Sequence, residues 1–297
     1  MAAIKPTRSD RIFQIINTVF LGLLLLVIAY PLYFVVIASF SDPTEVYTGK
    51  VLLWVKGFQT TGYKQVLMDH DVLIGYKNTL IYTIVGTLVN LAFTMTAGYA
   101  LTTNFIGKKP ISFLITFTMF FGGGMIPTYF LMRNLRILNT LWVMVLPGAV
   151  SVYNLMITRT FIAGNISDAL YEAAEIDGCS RLRFFFAIVV PLSGVLIAIL
   201  TLFYGVGHWN SYMNAILYLN QRKRFPLQMV LRELLIENQV SANDVQNNDP
   251  ELLAYMQQLA DTMKYSLIII ASVPVLILYP FLQRYFVKGV MIGSVKG

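Results

Sequence analysis

The chain has 297 residues, of which 57% are hydrophobic and only 12% are charged, and its formal net charge is +7. Soluble domains carry about a quarter charged residues. This composition, with a mean hydropathy of +0.65, therefore excludes an ordinary soluble enzyme and a disordered chain. The single cysteine, Cys179, excludes a disulfide-stapled secreted domain.

Charged residues are absent from six long stretches that together make up more than half of the chain. These stretches cover residues 12–41, 78–107, 110–132, 137–158, 184–221 and 265–283. A helix of about 20 apolar residues crosses a hydrocarbon core of about 30 Å. Lipid offers no partner to unpaired backbone groups, so helices are the expected form. The pattern predicts an all-α polytopic membrane protein with six transmembrane helices.

Two of the stretches are open to a second interpretation. The first follows three basic residues, as in a signal peptide, but it far exceeds the about 15 apolar residues of a cleavable signal. We therefore predict a retained helix. The fifth stretch, 184–221, is long enough for two crossings. Because its second half is rich in polar side chains, we predict one span to about Gly207 and then an interfacial segment, although a second crossing stays open.

Basic residues favour the cytoplasmic side when they lie in short segments beside the spans. With an inner N-terminus, the inner segments are shorter and more densely basic, so both termini are predicted to be cytoplasmic in a cell (inner or plasma) membrane. Topology then explains the positive charge, and no nucleic-acid partner is expected. The predicted organisation is an N-terminal tail 1–11 and one transmembrane domain 12–297 that contains an inner loop 159–183, outer loops 42–77 and 208–264, and a cytoplasmic tail 284–297.

The spans contain nothing that would energise transport. None of the six stretches holds a carboxylate, Lys or Arg, although ion-driven carriers usually place such groups in their spans. The sequence also lacks a phosphate-binding loop, a zinc-protease motif and a nucleophile elbow. We therefore predict no catalytic or metal-ligating residue, and, if the chain moves a solute uphill, an energy source on another subunit. A secondary carrier that binds sodium through backbone carbonyls remains the alternative, and a membrane-embedded enzyme is more remote.

The inner loop contains a spaced pattern. It consists of Glu172-Ala173-Ala174, Gly178 after three further residues, Ile188 after nine more, and then Val190-Pro191. Locally the sequence predicts a helix over 169–176, capped by Ser167 or Asp168 and ended by Gly178. The alternative is a solvated amphipathic linker whose acidic residues only favour the helix N-terminus.

This pattern resembles the EAA loop of ATP-binding-cassette (ABC) importer permeases, with Val190 where Leu is usual. Further segments resemble the carbohydrate permeases of the maltose-permease G type, and within it a subgroup for complex oligosaccharides. They are Phe120-Phe121-Gly122-Gly123-Gly124-Met125-Ile126-Pro127-Thr128-Tyr129, Leu138-Asn139-Thr140-Leu141-Trp142, Leu146-Pro147-Gly148-Ala149, Trp209-Asn210-x-Tyr212, and the C-terminal run from Gln283 to Gly297. The resemblance covers nearly the whole chain.

The resemblance implies a type I importer permease fold and alternating access, with no covalent chemistry on this chain. The implied partners are a second homologous permease, two ATPases that hold ATP and Mg²⁺, an extracellular solute-binding protein and an oligosaccharide substrate. It further implies that the loop helix docks in a cleft of the ATPase. Ala173 and Ala174 would then face that cleft, while Glu172 and Glu175 stay in water. Lys296 and Gly297 would contact the ATPases, and Arg222, Lys223 and Arg224 would lie in the loop that probes the binding protein.

Neutral polar residues at helical spacing mark a candidate sugar pathway. Because sugar hydroxyls need hydrogen-bonding partners, the candidates are Thr83, Thr87, Asn90 and Thr94 on the second span and Ser151 and Asn154 on the fourth, with Thr158 on the same face. The alternative, which we favour for any single residue, is that they bond to neighbouring helices.

Three further features are each open to two interpretations. Trp209, Tyr212 and Tyr218 could stack on sugar rings, but aromatic residues at this depth usually mark the membrane interface. The glycines 122–124, followed by Pro127, are expected to loosen the third helix or to let another backbone approach closely. The outer segment around residues 222–224 could also be simply a solvated loop.

Overall fold

The computed structural model describes residues 7–234, 263–278 and 280, and within these ranges the ordered elements are helical. The elements, in chain order, are α1 Arg8–Ser39, α2 Pro43–Tyr47, α3 Thr61–Met68, α4 His70–Thr102, α5 Lys108–Phe120, α6 Met125–Asn134, α7 Leu141–Val145, α8 Val152–Asn165, α9 Asp168–Ile176, α10 Arg181–Phe184, α11 Val190–Leu192, α12 Gly194–Trp209, α13 Tyr212–Tyr218, α14 at 227–234 and α15 Met263–Leu278. A π-helical turn, Phe185–Val189, joins α10 to α11, and Arg222–Arg224 forms a 3₁₀ turn.

Helix α1 begins with a capping box. The Thr7 hydroxyl accepts a hydrogen bond from the backbone of Asp10, and the Asp10 carboxylate accepts one from the backbone of Thr7. The Thr7 side chain and then its backbone, which both donate to the carboxylate, lower the pKa of Asp10. Beyond this cap α1 is apolar on every side, and only 6% of its most apolar window is buried. Such a surface is typical of a helix in lipid.

The charge-free stretches are less continuous than predicted. Within the described ranges, α1 and α4 are long and apolar enough to cross a membrane alone, and counting each bent pair as one span gives up to four. The third stretch divides into α5 and α6, bent by 116°, as the glycines 122–124 suggested. Gly124 adopts φ +86°, and a Cβ atom built on Gly122 would meet nothing within 4 Å. Of the two interpretations, the structure shows the loosened helix, and among the described residues none approaches Gly122 closely.

Two further predicted spans are also broken. The fourth contains α7 and the first half of α8, separated at 146–151, where Pro147 lacks an amide donor and Gly148 has φ +87°. The fifth bends by 80° between Leu192 and Gly194, directly after Pro191. The single span predicted to about Gly207 thus corresponds to a bent pair of helices that ends at Trp209, and not to one straight helix.

The described residues fall into two units, 7–69 with 233–234 and 263–272, and 70–232 with 273–278 and 280. In the larger unit α4 packs against α8 and α12. Their shared core consists of buried residues of α4, α8, α10, the π-turn and α12, namely Met95, Ile162, Phe184, Phe185, Val189, Leu196, Leu200 and Tyr204. This core places the candidate functional residues relative to one another.

Candidate coupling helix and transport core

Helix α9 carries the Glu-Ala-Ala pattern and has a defined cap at each end. The hydroxyl of Ser167 accepts a hydrogen bond from the amide of Leu170 at 3.4 Å. At the other end, the amide of Cys179 donates to the carbonyl of Ala174 at 2.8 Å, and that of Gly178 donates to Glu175 at 3.0 Å. This is a Schellman motif, which requires its terminating residue to be left-handed. Gly178 fills that position with φ +70°, so the predicted cap and stop are confirmed.

The two faces of α9 differ in burial. Tyr171 and Ala174, together with Cys179 after the helix, pack against the core of their own chain. Glu172 and Ala173 are exposed, and so is Ile176, with 87% of its surface accessible. Ala174 is partly buried against its own chain, so Ala173 is the more exposed of the two alanines that are predicted to face a partner. The exposed face offers a small apolar surface bordered by carboxylates.

The second half of the pattern lies where the chain enters the membrane core. Ile188 and Val190 pack against the same core as Ala174, and Val189 is completely buried within it. The π-turn precedes Pro191, which cannot donate a helical hydrogen bond. The 80° bend follows at Ser193 and redirects the chain into α12. The spacing of the pattern thus places a rigid turn between the loop helix and a membrane helix.

A buried polar cluster lies midway along α4. Asn90, with no exposed surface, donates from Nδ2 to the carbonyls of Gly148 at 3.0 Å and Ala149 at 2.9 Å. Its Oδ1 lies 2.7 Å from Nε2 of His208. Because the amide oxygen can only accept, Nε2 carries the proton. Asn90 therefore joins α4 to the broken backbone before α8 and to α12.

A second part of the cluster is centred on Tyr204. Its hydroxyl lies 2.7 Å from the hydroxyl of Thr94 and accepts a hydrogen bond from the amide of Ser151 at 3.2 Å. The Ser151 hydroxyl caps α8 by accepting from the amide of Asn154. Three of the predicted pathway residues thus bond to their own chain in this conformation, which is the alternative that the sequence favoured.

The remaining pathway candidates do not take part in the hydrogen bonds of the cluster that are described above. The hydroxyls of Thr83 and Thr87 are buried and have no hydrogen-bond partner among the described residues. Asn154 lines an open, mostly apolar cavity of about 590 Å³ between α8 and α12, to which Phe203 and Val206 also contribute. This groove, and not the Asn90–Thr94 pair, is the accessible part of the predicted polar faces.

Sequence reasoning missed three members of the cluster, namely Gly86, Tyr204 and His208. A Cβ atom on Gly86 would lie 2.4 Å from Nε2 of His208, so only glycine leaves room for the ring. The available signal was that Gly86 stands four residues before Asn90, on the same helical face. The tyrosine and histidine carry no local signal that identifies their partners.

The basic segment 222–224 is fixed to the N-terminal part of α4. Arg222 pairs with Asp71 at 2.6 Å. The carbonyls of Lys223 and Arg224 accept hydrogen bonds from Asn78 and Tyr82, at 3.0 and 2.8 Å.

The contacts continue into α14. The hydroxyl of Thr79 accepts from the amide of Leu227 at 2.7 Å. Gly75 allows the Leu227 backbone to approach, because a Cβ atom there would lie 3.1 Å from its Cα. Helix α14 ends the described part of this segment at residue 234. The predicted contacts Lys296 and Gly297 lie outside the described residues.

Comparison with known proteins gives this geometry its context. The polygalacturonan/rhamnogalacturonan transport system permease protein YtcP of Bacillus subtilis is 38% identical over 292 residues, which cover 97% of this chain and 99% of that protein. The chain belongs to the permease subunits of carbohydrate ABC transporters. Protein LplC of the same organism is 37% identical to this permease, and the match covers 98% of this permease and 97% of LplC. No protein-family model matches the chain.

A solved structure agrees with the fold of this permease. A chain in the crystal structure of a bacterial ABC transporter involved in import of the acidic polysaccharide alginate superposes with a TM-score of 0.85 at 30% identity. The match covers 96% of this permease and 100% of that chain. The chain is therefore a helical membrane permease with an ABC importer fold.

Proposed function

We propose that this permease forms part of the membrane channel of a binding-protein-dependent importer for oligosaccharides and works by alternating access. In this proposal it has six membrane spans with both termini in the cytoplasm, and it carries out no covalent chemistry. ATP and Mg²⁺ are bound by two ATPase partners, and a second homologous permease completes the pathway.

The two-faced coupling helix α9 carries this proposal. Its exposed face leaves Glu172 and Ala173 available to an ATPase. Its inner face reaches the core through Tyr171, whose ring meets Phe184 edge-on at 5.4 Å. Phe184 in turn stacks on Tyr99 of α4, with the ring centroids 6.4 Å apart. A push on α9 therefore reaches the longest core helix through three aromatic rings in direct contact.

The opposite end of α4 supports a role for the basic segment in binding-protein contact. Lys223 is exposed, while the backbone around it is bonded to Asn78 and Tyr82. A protein docked on this segment would act on α4, the same helix that meets the coupling helix. We propose that Arg222, Lys223 and Arg224 contact the solute-binding protein, and that Lys296 and Gly297 contact the ATPases.

The substrate class follows from the relatives and from the uncharged spans. The names of two related systems refer to polysaccharides, namely polygalacturonan or rhamnogalacturonan and alginate. The described parts of the predicted spans contain no charged side chain, so hydroxyl and amide groups are the polar groups available to a passing sugar. We propose oligosaccharide fragments as cargo, with contacts in the groove at Asn154 and at Thr83 and Thr87.

One experiment tests the function as a whole. The complete complex, reconstituted in proteoliposomes, is assayed for ATP hydrolysis with its binding protein and a panel of oligouronides and neutral oligosaccharides. We expect one class to stimulate hydrolysis and to be taken up when ion gradients are collapsed but ATP is present. Uptake that stops with the gradient and ignores ATP would instead support the secondary carrier, which the family membership disfavours.

A further inference from the structure

The loop that follows α1 has an apolar tip whose exposure the transport function does not explain. This tip consists of Leu52, Leu53 and Trp54, whose exposed fractions are 60%, 57% and 77%. Three adjacent large apolar side chains in water are unfavourable. The sequence alone predicted only an outer loop over residues 42–77 here.

Two tyrosines hold this tip against α1. The hydroxyl of Tyr30 donates to the carbonyl of Leu52 at 3.2 Å, and that of Tyr33 donates to the carbonyl of Leu53 at 2.5 Å. The base of the loop is closed separately, where the amide of Asp42 donates to the carbonyl of Lys56 at 2.8 Å. The loop therefore runs back along α1 and does not extend away from its end.

The tyrosines also give the depth of the tip. Helix α1 carries basic residues at its start, and its apolar surface begins at Ile12. At about 1.5 Å per residue, Tyr30 and Tyr33 lie about 27–32 Å further along the helix, which is close to the thickness of the hydrocarbon core. Tyrosine is enriched at this level, where its ring is in lipid and its hydroxyl is hydrogen-bonded. The tip thus lies at the membrane boundary opposite to the basic end of α1.

The chemistry of the loop fits this boundary. Non-helical backbone at the edge of hydrocarbon needs internal partners, and the tyrosine hydroxyls supply them to Leu52 and Leu53. Tryptophan is the other residue typical of the interface. On the water side of the tip, Lys50 pairs with Glu45 at 3.1 Å, and both remain partly exposed. The loop thus has a charged base and an apolar tip that is continuous with the exposed surface of α1.

We propose that Leu52, Leu53 and Trp54 insert into the lipid interface and anchor this loop to the bilayer. The partner of this surface is the membrane itself, and the anchor fixes the level of the loop relative to the outer end of α1. This role is independent of the substrate and of the coupling helix.

Spin labelling of the assembled transporter in lipid nanodiscs tests the anchor. Cys179→Ser, in a complex otherwise free of cysteine, provides the background, and its transport is measured first. A nitroxide is then placed at Trp54→Cys or, as the matched control in the same loop, at Lys50→Cys. We expect the label at position 54 to collide several-fold less with a water-soluble nickel complex than the label at position 50, and more with oxygen, which dissolves in lipid.

Each other outcome overturns the proposal. Equal collision of both labels with nickel would place the tip in water. Low collision of the label at position 54 with both reagents would mean that a protein chain covers the tip. If that label loses mobility only after the binding protein is added, the tip is a docking surface for the binding protein. The added changes Tyr30→Phe and Tyr33→Phe are expected to raise nickel access at position 54 by releasing the loop. Unchanged access would show that the tyrosines do not hold the tip.

Discussion

The two ends of α4 hold their neighbours by different interactions. At the N-terminal end, Asn78 and Tyr82 bond to the backbone of the basic segment, and Asp71 pairs with Arg222. At the C-terminal end, the contact with the coupling helix consists of stacked and edge-on rings around Phe184. Hydrogen bonds fix position and angle, whereas aromatic packing transmits force but permits rotation and small sliding. One end of α4 is thus a fixed joint and the other is a movable one.

The largest effect is expected at the movable end, from Gly178→Val. A β-branched residue is disfavoured at φ +70°, and left-handed backbone costs an L-residue about 1–2 kcal/mol. Helix α9 should lose its Schellman turn, and uptake should fall to background while membrane insertion and ATP binding by the partners persist. Transport assays and binding-protein-stimulated ATPase assays check this.

The matched control is Gly178→Asn, because asparagine tolerates the left-handed conformation and a Cβ atom at this position meets nothing within 4 Å. It should retain most of the uptake. Equal loss in both variants would show that side-chain volume at the docking surface, and not the backbone turn, limits transport.

An intermediate effect is expected from Asn90→Ala, midway between the two ends of α4. This change leaves the carbonyls of Gly148 and Ala149 and the ring of His208 without their partner. A buried unpaired polar group costs about 1–3 kcal/mol, so the thermal unfolding midpoint of the purified complex should fall by several degrees. Asn165→Ala removes one exposed hydrogen bond and should leave the midpoint nearly unchanged. Equal midpoints for the two variants would contradict the structural role of the cluster.

The smallest effect is expected at the fixed joint, from Tyr82→Phe, which removes one hydrogen bond to Arg224. Such a bond contributes about 1 kcal/mol. We expect binding-protein stimulation of ATP hydrolysis to weaken a few-fold, with unchanged basal hydrolysis. Tyr47→Phe, at a residue that is 74% exposed, serves as control. If basal and stimulated rates fall together, Tyr82 supports folding and not signalling.

The comparison also explains what the sequence could predict. The coupling helix was accessible because its signals are local: Ser167 caps it and Gly178 ends it within one short segment. The spans α1 and α4 were accessible because length and hydropathy suffice to identify them. The Gly122–Gly124 break was foreseen because three consecutive glycines disfavour any helix.

The remaining features depend on contacts between distant segments. A charge-free stretch gives the length of a span but not its continuity, so the breaks at 146–151 and at Ser193 were missed. Protein packing around such breaks replaces the helical hydrogen bonds, as Asn90 does for Gly148. Helical periodicity placed Asn90 and Thr94 on one face. It did not reveal that His208 forms a hydrogen bond with Asn90 and that Tyr204 forms one with Thr94. Asn90 and Thr94 are thus bonded within the chain, which is the alternative that the sequence favoured, and their role in a sugar pathway stays a prediction.

The interruption between α5 and α6 has a consequence for how this subunit exists in the cell. Residues 121–124 lie outside any helix and are exposed, in the middle of a stretch that composition assigns to the bilayer. Acyl chains cannot accept hydrogen bonds from the backbone amides of such a segment. The subunit is therefore expected to need another protein chain against residues 122–124 to be stable in a bilayer.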